Sequence, residues 1–289
     1  MTTLSEKAYA KINLTLDITG KRDDGYHDIY SIMQSVSLHD EVKISLNTGK
    51  DWSVHCTDAQ VPCDCRNLSM QAAKLFFAET GIDPNGISIH IENMIPAQAG
   101  IGGGSADAAA VLRSLNAHYG SVFSTHALAD LGARIGSDVP FCVVCGTAIA
   151  EGRGERLRKL PDMPACHIVI CKPPVSCSTP ILYQMYDEKN VIPAHPDPDS
   201  MLRAISTGDI SGIAGNLYNV FEPIVLDNYG IVREVLADMN RAGALGSRMS
   251  GSGSSVYGIF DNTSRAEKAA DFLAEKYGCG YLCQTVRLD

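Results

Sequence analysis

The sequence predicts an α+β protein built from two units, and three observations carry that reading. The first third alternates apolar and polar residues as half-buried strands do. A glycine run near residue 100 opens directly into an alanine-rich stretch with helical spacing. The second half places strand and helix signals in the order β-α-β-β-α-β, the ferredoxin-like pattern. The proline-bearing "LPDMPA" at 160–165 is the expected seam, dividing the chain into 1–160 and 161–289.

Each element follows from its residues. In "KINLTLDI", Ile12, Leu14, Leu16 and Ile18 share one face, with Lys11, Asn13, Thr15 and Asp17 on the other. "EVKISL" and "ISIHIE" alternate in the same way, and Asp24-Gly25 is a hairpin-type turn signal. After the glycines, Ala108, Val111, Leu112, Leu115 and Tyr119 recur at the spacing of an amphipathic helix. "ACHIVIC" (165–171) reads as a strand, and Val232, Val235, Leu236 and Met239 mark a helix. Strands are expected near 244–249 and 254–260, then a helix carrying Ala266, Ala269, Ala270, Leu273 and Tyr277, then a closing strand in "YLCQTVRL". Helical insertions around 179–187 and 199–218 separate the first of these strands from its helix.

Composition narrows the function classes. With 45% hydrophobic and 20% charged residues in 289, the chain has ample material for a core. The formal charge of −9 opposes broad binding to nucleic acid or to an anionic membrane surface, both of which use basic faces. A local pocket of N–H groups can still take an anion. "MTTLSEKAYAKINL" has no apolar leader core, and no run approaches the ~18 apolar residues of a membrane span, so we read the chain as cytoplasmic. Of ten cysteines, Cys63 and Cys65 form C-x-C, and Cys142 and Cys145 form C-x-x-C in "FCVVCG". The latter run reads as a strand, where residues three apart face opposite sides and do not chelate. Cys56, Cys166, Cys171, Cys177, Cys279 and Cys283 show no zinc-ribbon spacing, so reduced, mostly buried thiols are expected.

The stretch "AGIGGGSADAAA" (99–110) concentrates Gly100, Gly102, Gly103 and Gly104 at the start of a helix. Bare amides and the positive end of the helix dipole converge there, which suits a phosphate group; glycines serving a tight turn are the plainer alternative. On the first reading, a valine at Gly103 would intrude where backbone meets phosphate. The G-x-x-x-x-G-K-[ST] pattern fails for want of a lysine, and G-x-G-x-x-G fails at Ser105. Ser105 and Asp107 open the helix, where a cap or a magnesium contact is expected, the cap being the simpler role for Asp107. "RIGSDVPFCV" sets Asp138 between Gly136 and Pro140 at the mouth of an expected strand. A carboxylate there can orient or deprotonate a hydroxyl, or can merely form an Asx turn. "SRMSGSGSSVYGIF" supplies a second small-residue loop with Gly251 and Gly253.

These stretches together resemble the GHMP kinase superfamily, whose phosphate loop reads here Pro96-Ala97-Gln98-Ala99-Gly100-Ile101-Gly102-Gly103-Gly104-Ser105. The resemblance covers nearly the whole chain and implies that family's fold: an N-terminal mixed domain (ribosomal S5-like) followed by a ferredoxin-like one. It implies ATP, with magnesium bridging its phosphates, held on this loop with Asn67 and Leu68 on the adenine side. It implies Lys11 and Asp138 as the catalytic pair, the lysine opposing negative charge that develops on the transferred phosphoryl. "AYAKINLTLDITGKRDDGYHDIYSIMQSVSLHDEV", "GSDVPF" and "GSGSSVYGIF" resemble the branch that phosphorylates the 2-hydroxyl of 4-diphosphocytidyl-2-C-methyl-D-erythritol. That branch implies a cytidine diphosphate-linked alcohol as partner, with Asn13, Tyr26, His27 and Tyr183 at the cytidine. Asn219 and Glu222 in "NVFE" match a family element with no role legible from the residues. Met94 stands where relatives often carry a basic residue, and Ala97-Gln98 replaces a commoner pair. Three rivals remain. A dinucleotide oxidoreductase would need a parallel βαβ unit, a non-catalytic sensor would dispense with Lys11 or Asp138, and a sister kinase would act on another small alcohol.

Overall fold

A long alternating segment that finds a partner of equal length makes a two-stranded ribbon, and here the ribbon organises the fold. In the computed structural model, which describes residues 2–49, 51–188 and 195–287, β1 (Thr2–Lys21) and β2 (His27–Leu46) pair antiparallel from end to end. Gly25 at φ 84° and the bond from the Tyr26 amide to Asp24 Oδ1 (3.1 Å) close the turn, as Asp-Gly predicts. β2 is long enough to serve two further partners. β3 (Trp52–Cys56), α1 (Leu68–Thr80) and β4 (Ile87–Glu92) follow in the chain, and β4 pairs with the far half of β2. Next come α2 (Gly103–His118), α3 (Thr125–Ala133), α4 (Val139–Val144), β5 (Thr147–Gly152) and β6 (Arg156–Lys159); β5 pairs with the near half of β2.

The second half contributes β7 (His167–Cys171), α5 (Thr179–Glu188), α6 (Pro198–Thr207), α7 (Ile210–Gly215), β8 (Tyr218–Asn219) and α8 (Glu222–Asn228). It ends with α9 (Gly230–Arg241), β9 (Gly246–Met249), β10 (Val256–Phe260), α10 (Thr263–Tyr277) and β11 (Tyr281–Gln284). β7, β9, β10 and β11 form an antiparallel sheet in the order β11-β7-β10-β9 with α9 and α10 as the helices, so the split βαβ reading stands. The insertion at 199–218 is not one helix: Gly208 at φ 70° ends α6 and Asp209 caps α7. β8 then leaves its own half and pairs parallel with Thr15 and Leu16 of β1. The expected closing strand stops at Gln284, with Thr285 bridging to Val36; position 288 lies outside the described residues. No helix among the described residues is long and apolar enough to cross a membrane.

Two sequence expectations change. The run 139–144 is the helix α4, not a strand, so Cys142 lies on a helix and Asp138 stands at a helix start. Pro140 in its first turn lacks the N–H that a central strand would need, and Gly132 of α3 leaves room for Val139, whose Cγ1 lies 2.8 Å from where a Cβ would be. The polar face of β1 is also not turned to water. Lys11, Asn13, Thr15 and Asp17 are all buried, because the C-terminal half and the loops around it close over that face. Such burial demands polar partners, and every one of the four has them. All ten cysteines are free, six of them buried and Cys63 and Cys65 exposed.

Candidate active site

α2 begins without a side-chain cap. Gly102, at φ 78°, is its N-cap residue and the first helical bond runs from the Ala106 amide to the Gly102 carbonyl (2.8 Å). The amides of Gly103, Gly104 and Ser105 therefore have no acceptor within the helix, and their dipole end opens onto a cavity of about 1150 Å³. That volume exceeds what one drug-sized ligand needs. α2 itself is buried on nearly every side from Ala106 to Leu112, since alanines let α1, α4 and the ribbon approach closely.

The two glycine loops pack back to back. A Cβ on Gly100 would lie 2.4 Å from the Ser250 carbonyl oxygen, and one on Gly251 would lie 2.6 Å from the Gly100 carbonyl oxygen. Ser250 Oγ donates to that Gly100 carbonyl (3.0 Å), and the Ser255 amide donates to the Ala99 carbonyl (3.1 Å). The second loop is braced from behind by Asn219 and Glu222. Asn219 Nδ2 donates to the carbonyls of Met249 and Gly251, and Glu222 accepts from the Met249 amide and pairs with Arg248. The N-x-x-E element thus holds the loop on which Ala99 and Gly100 rest.

Gly100→Ala should break this packing. Its Cβ has no room and its φ of 75° disfavours an L side chain, so we expect a loss of about 1–3 kcal/mol in stability with at least tenfold weaker ATP binding. Thermal unfolding and calorimetric titration check both, and unchanged values would show that the loops part easily. Gly103 behaves otherwise than its place in the run suggests. A Cβ there meets Ile95 Cγ2 at 3.2 Å and so points into the core, which makes Gly103→Val a packing change before it is a ligand change.

Lys11 lies beneath this loop. Its amide donates to the Ile101 carbonyl (2.9 Å), and its stem fills the space under Gly102, where a Cβ would come within 3.0 Å of Lys11 Cγ. Nζ donates to Asn13 Oδ1 (2.8 Å) and lies 3.3 Å from Asp138 Oδ2. Asn13 is fixed in turn by Ser31 Oγ, and its carbonyl accepts from the buried Tyr257 hydroxyl. Asp138 makes no capping bond to α4, and a third of its side chain is exposed to the cavity it lines.

Asp107 departs from expectation. It sits a turn inside α2, buried beside Asp40, and caps nothing. Burial, and then the Asp40 charge, push its carboxyl well above the usual range. Asp40 is raised too, less so because it accepts from the Met94 and Ile95 amides (2.6 Å each).

At the other end of the cavity, Tyr183 of α5 stacks on His27 with ring centres 4.8 Å apart and planes 21° apart, its hydroxyl pushed up to about 12 by burial. Tyr26 is mostly exposed, with the Arg153 guanidinium over its ring at 5.2 Å. Of the expected site residues, all but two line the cavity. Ile101 is buried behind the loop. Asn67 caps α1 through Ser69 and donates to the Pro62 carbonyl, so it shapes the wall formed by Gln60, Val61 and Pro62 from outside. Arg153, Thr179 and Asp187 also line the cavity and were not foreseen. Asp187 lies four residues after Tyr183 on one helix face, which is the one signal for it in the sequence.

Comparisons with known proteins show what the chain as a whole is similar to. The chain matches the family description "GHMP kinases N terminal domain" over residues 67–146 and "GHMP kinases C terminal" over 201–279. It is 46% identical over 267 residues to a 4-diphosphocytidyl-2-C-methyl-D-erythritol kinase of Caldicellulosiruptor saccharolyticus, covering 92% of this chain and 91% of that one. It is 41% identical to the enzyme of that name from Acetivibrio thermocellus, over 99% of this chain and all of the other. A crystal structure of a 4-(cytidine 5'-diphospho)-2C-methyl-D-erythritol kinase superposes with a TM-score of 0.81 at 31% identity, covering 97% of this chain and 98% of that one. A homoserine kinase from Cytophaga hutchinsonii, at 18% identity and a TM-score of 0.76 over 99% and 95% of the two chains, shares the fold.

Proposed function

This chain belongs to the GHMP kinases, among the 4-diphosphocytidyl-2-C-methyl-D-erythritol kinases, and we propose that it transfers the γ-phosphoryl group of ATP to the 2-hydroxyl of 4-diphosphocytidyl-2-C-methyl-D-erythritol. The reaction is a step of the non-mevalonate route to isoprenoid precursors, and we place it in the cytoplasm with no nucleic-acid or membrane partner. One observation carries the reading. The Lys11–Asp138 pair, the open amides of α2 and the His27–Tyr183 stack all face one cavity.

The chemistry follows from that arrangement. Phosphates on the amides of Gly103, Gly104 and Ser105 bring the γ-phosphorus toward the Lys11–Asp138 pair. The acceptor hydroxyl attacks it, the bond to the ADP oxygen breaks, and Asp138 receives the hydroxyl proton. Lys11 Nζ offsets charge on the transferred group. Among the described residues no three metal-binding side chains converge as a cage. That fits Mg2+ held mostly by phosphate oxygens and water, with Ser105 and Asp138, among the oxygen-bearing groups that line the cavity, as the ones we assign to it. Bound there, it would neutralise phosphate charge.

A coupled ATPase assay across candidate alcohols tests the function. Turnover is expected with the cytidine-linked substrate and not with homoserine, mevalonate or methylerythritol phosphate lacking the nucleotide. Base–aromatic stacking contributes ~1–3 kcal/mol, so Tyr26→Ala should raise KM roughly tenfold. Equal efficiency on a nucleotide-free alcohol would favour a sister kinase instead.

A further inference from the structure

α5 brings a carboxylate to the histidine that the reading above places at the cytidine. Asp187 Oδ1 lies 2.8 Å from His27 Nε2, and Asp187 Oδ2 accepts from Lys21 Nζ at 2.6 Å. Lys21 first, and His27 with it, hold the Asp187 carboxyl below the usual range. An ionised carboxylate only accepts hydrogen bonds, so the hydrogen in this contact belongs to Nε2. A neutral imidazole carries one N–H. Nδ1 is then a bare lone pair, and it makes no hydrogen bond among the described residues, although the ring is buried in the cavity wall.

We propose that Asp187 is the positioning residue that sets which pyrimidine this site accepts: by fixing His27 as the Nε2–H tautomer, it presents Nδ1 as an acceptor for the exocyclic amino group of cytosine. The proposal rests on the function given above and goes beyond it by explaining the choice of base. A hydrogen bond along the Nδ1 lone pair lies in the imidazole plane, so a base held there can share the layer of His27. Tyr183, nearly parallel to that plane, then covers one face of the layer, and it stands on the same helix as Asp187. Uracil in the same register offers an oxygen lone pair at that edge. Two acceptors face each other, and neither is satisfied.

The competing role for Asp187 is to dock α5, which would affect all substrates alike. Asp187→Asn separates the two, because an amide can either donate to or accept from Nε2 and so releases the tautomer. At pH 8 the ratio of kcat/KM for the cytidine-linked substrate over its uridine analogue should fall about 10- to 100-fold in the variant. Asp187→Glu should restore part of that ratio. Correlation of imidazole protons with ring nitrogens by NMR should show Nε2–H in the wild type and a mixture in Asp187→Asn. An unchanged ratio, or a wild-type ring protonated on Nδ1, overturns the assignment and leaves the kinase reading intact. A wild type inactive on the cytidine-linked substrate overturns the kinase reading itself, and this assignment with it.

Discussion

Asp138→Ala should abolish turnover while leaving the protein folded and able to bind ATP. The carboxylate stands at the start of α4 but makes no capping bond, and a third of its side chain is exposed. Its loss takes the counter-charge from the buried Lys11 ammonium, which costs on the order of 1–3 kcal/mol of stability without unfolding the protein. Lys11 keeps its bond to Asn13 Oδ1 at 2.8 Å, so the ammonium is not stranded. On the proposed function the nucleotide's phosphates rest on the α2 amides, away from Asp138, so the ATP dissociation constant should hold within a factor of about two. Turnover is different, because in the proposed mechanism the acceptor's proton goes to this carboxylate. General-base removal costs on the order of 10²–10⁴ in kcat. Single-turnover kinetics beside calorimetric ATP binding make the comparison. A variant retaining more than about a tenth of kcat, a barrier change of only ~1.4 kcal/mol, would remove Asp138 from the essential groups.

Much of this arrangement is legible in the sequence because local chemistry dictates it. The alternation of β1, the Asp24-Gly25 turn and the glycine-to-alanine junction each name their own element. The split βαβ order survives because its strands and helices are separated by clear turn signals. What resisted reading depends on contacts distant in the chain. "VPFCVV" has the composition of a strand, yet Pro140 and the room left by Gly132 make it a helix. The polar face of β1 reads as a solvated surface until Ser31, Asp138 and His195 are seen to satisfy it. Asn67 follows the phosphate-loop resemblance toward the nucleotide, but its amide is spent on capping α1 and on Pro62. Asp187 lies 160 residues from His27, and no local pattern joins them. Fold follows from short-range periodicity, whereas the roles of polar side chains follow from what is folded against them.

Lys11→Met should leave the protein at least as stable as the wild type and nearly inactive. Only 3% of Lys11 is exposed, and its stem occupies the space beneath Gly102. Methionine has similar length and fills the same channel, so the phosphate loop keeps its support. Replacing a buried charge by an apolar group of like volume is often neutral or stabilising, because the desolvation of the ammonium disappears. Against that, Asn13 Oδ1 loses its 2.8 Å donor, and the Ser250 hydroxyl 3.5 Å away already donates to the Gly100 carbonyl, which costs about 1 kcal/mol. The two terms nearly cancel, and the melting temperature should move by only a few degrees. The reaction has no such compensation. On the proposed mechanism no ammonium then opposes charge on the transferred phosphoryl at the position 3.3 Å from Asp138, and kcat should fall on the order of 10²–10³-fold. Lys11→Arg is the sharper control, because it keeps the charge while the guanidinium is too broad for a channel that a Gly102 Cβ would already crowd. If the arginine variant works and the methionine one does not, position 11 needs only a positive charge. If both fail while both remain folded, it needs an ammonium held at this point. Substantial activity in Lys11→Met would reduce Lys11 to a packing role under the glycine loop.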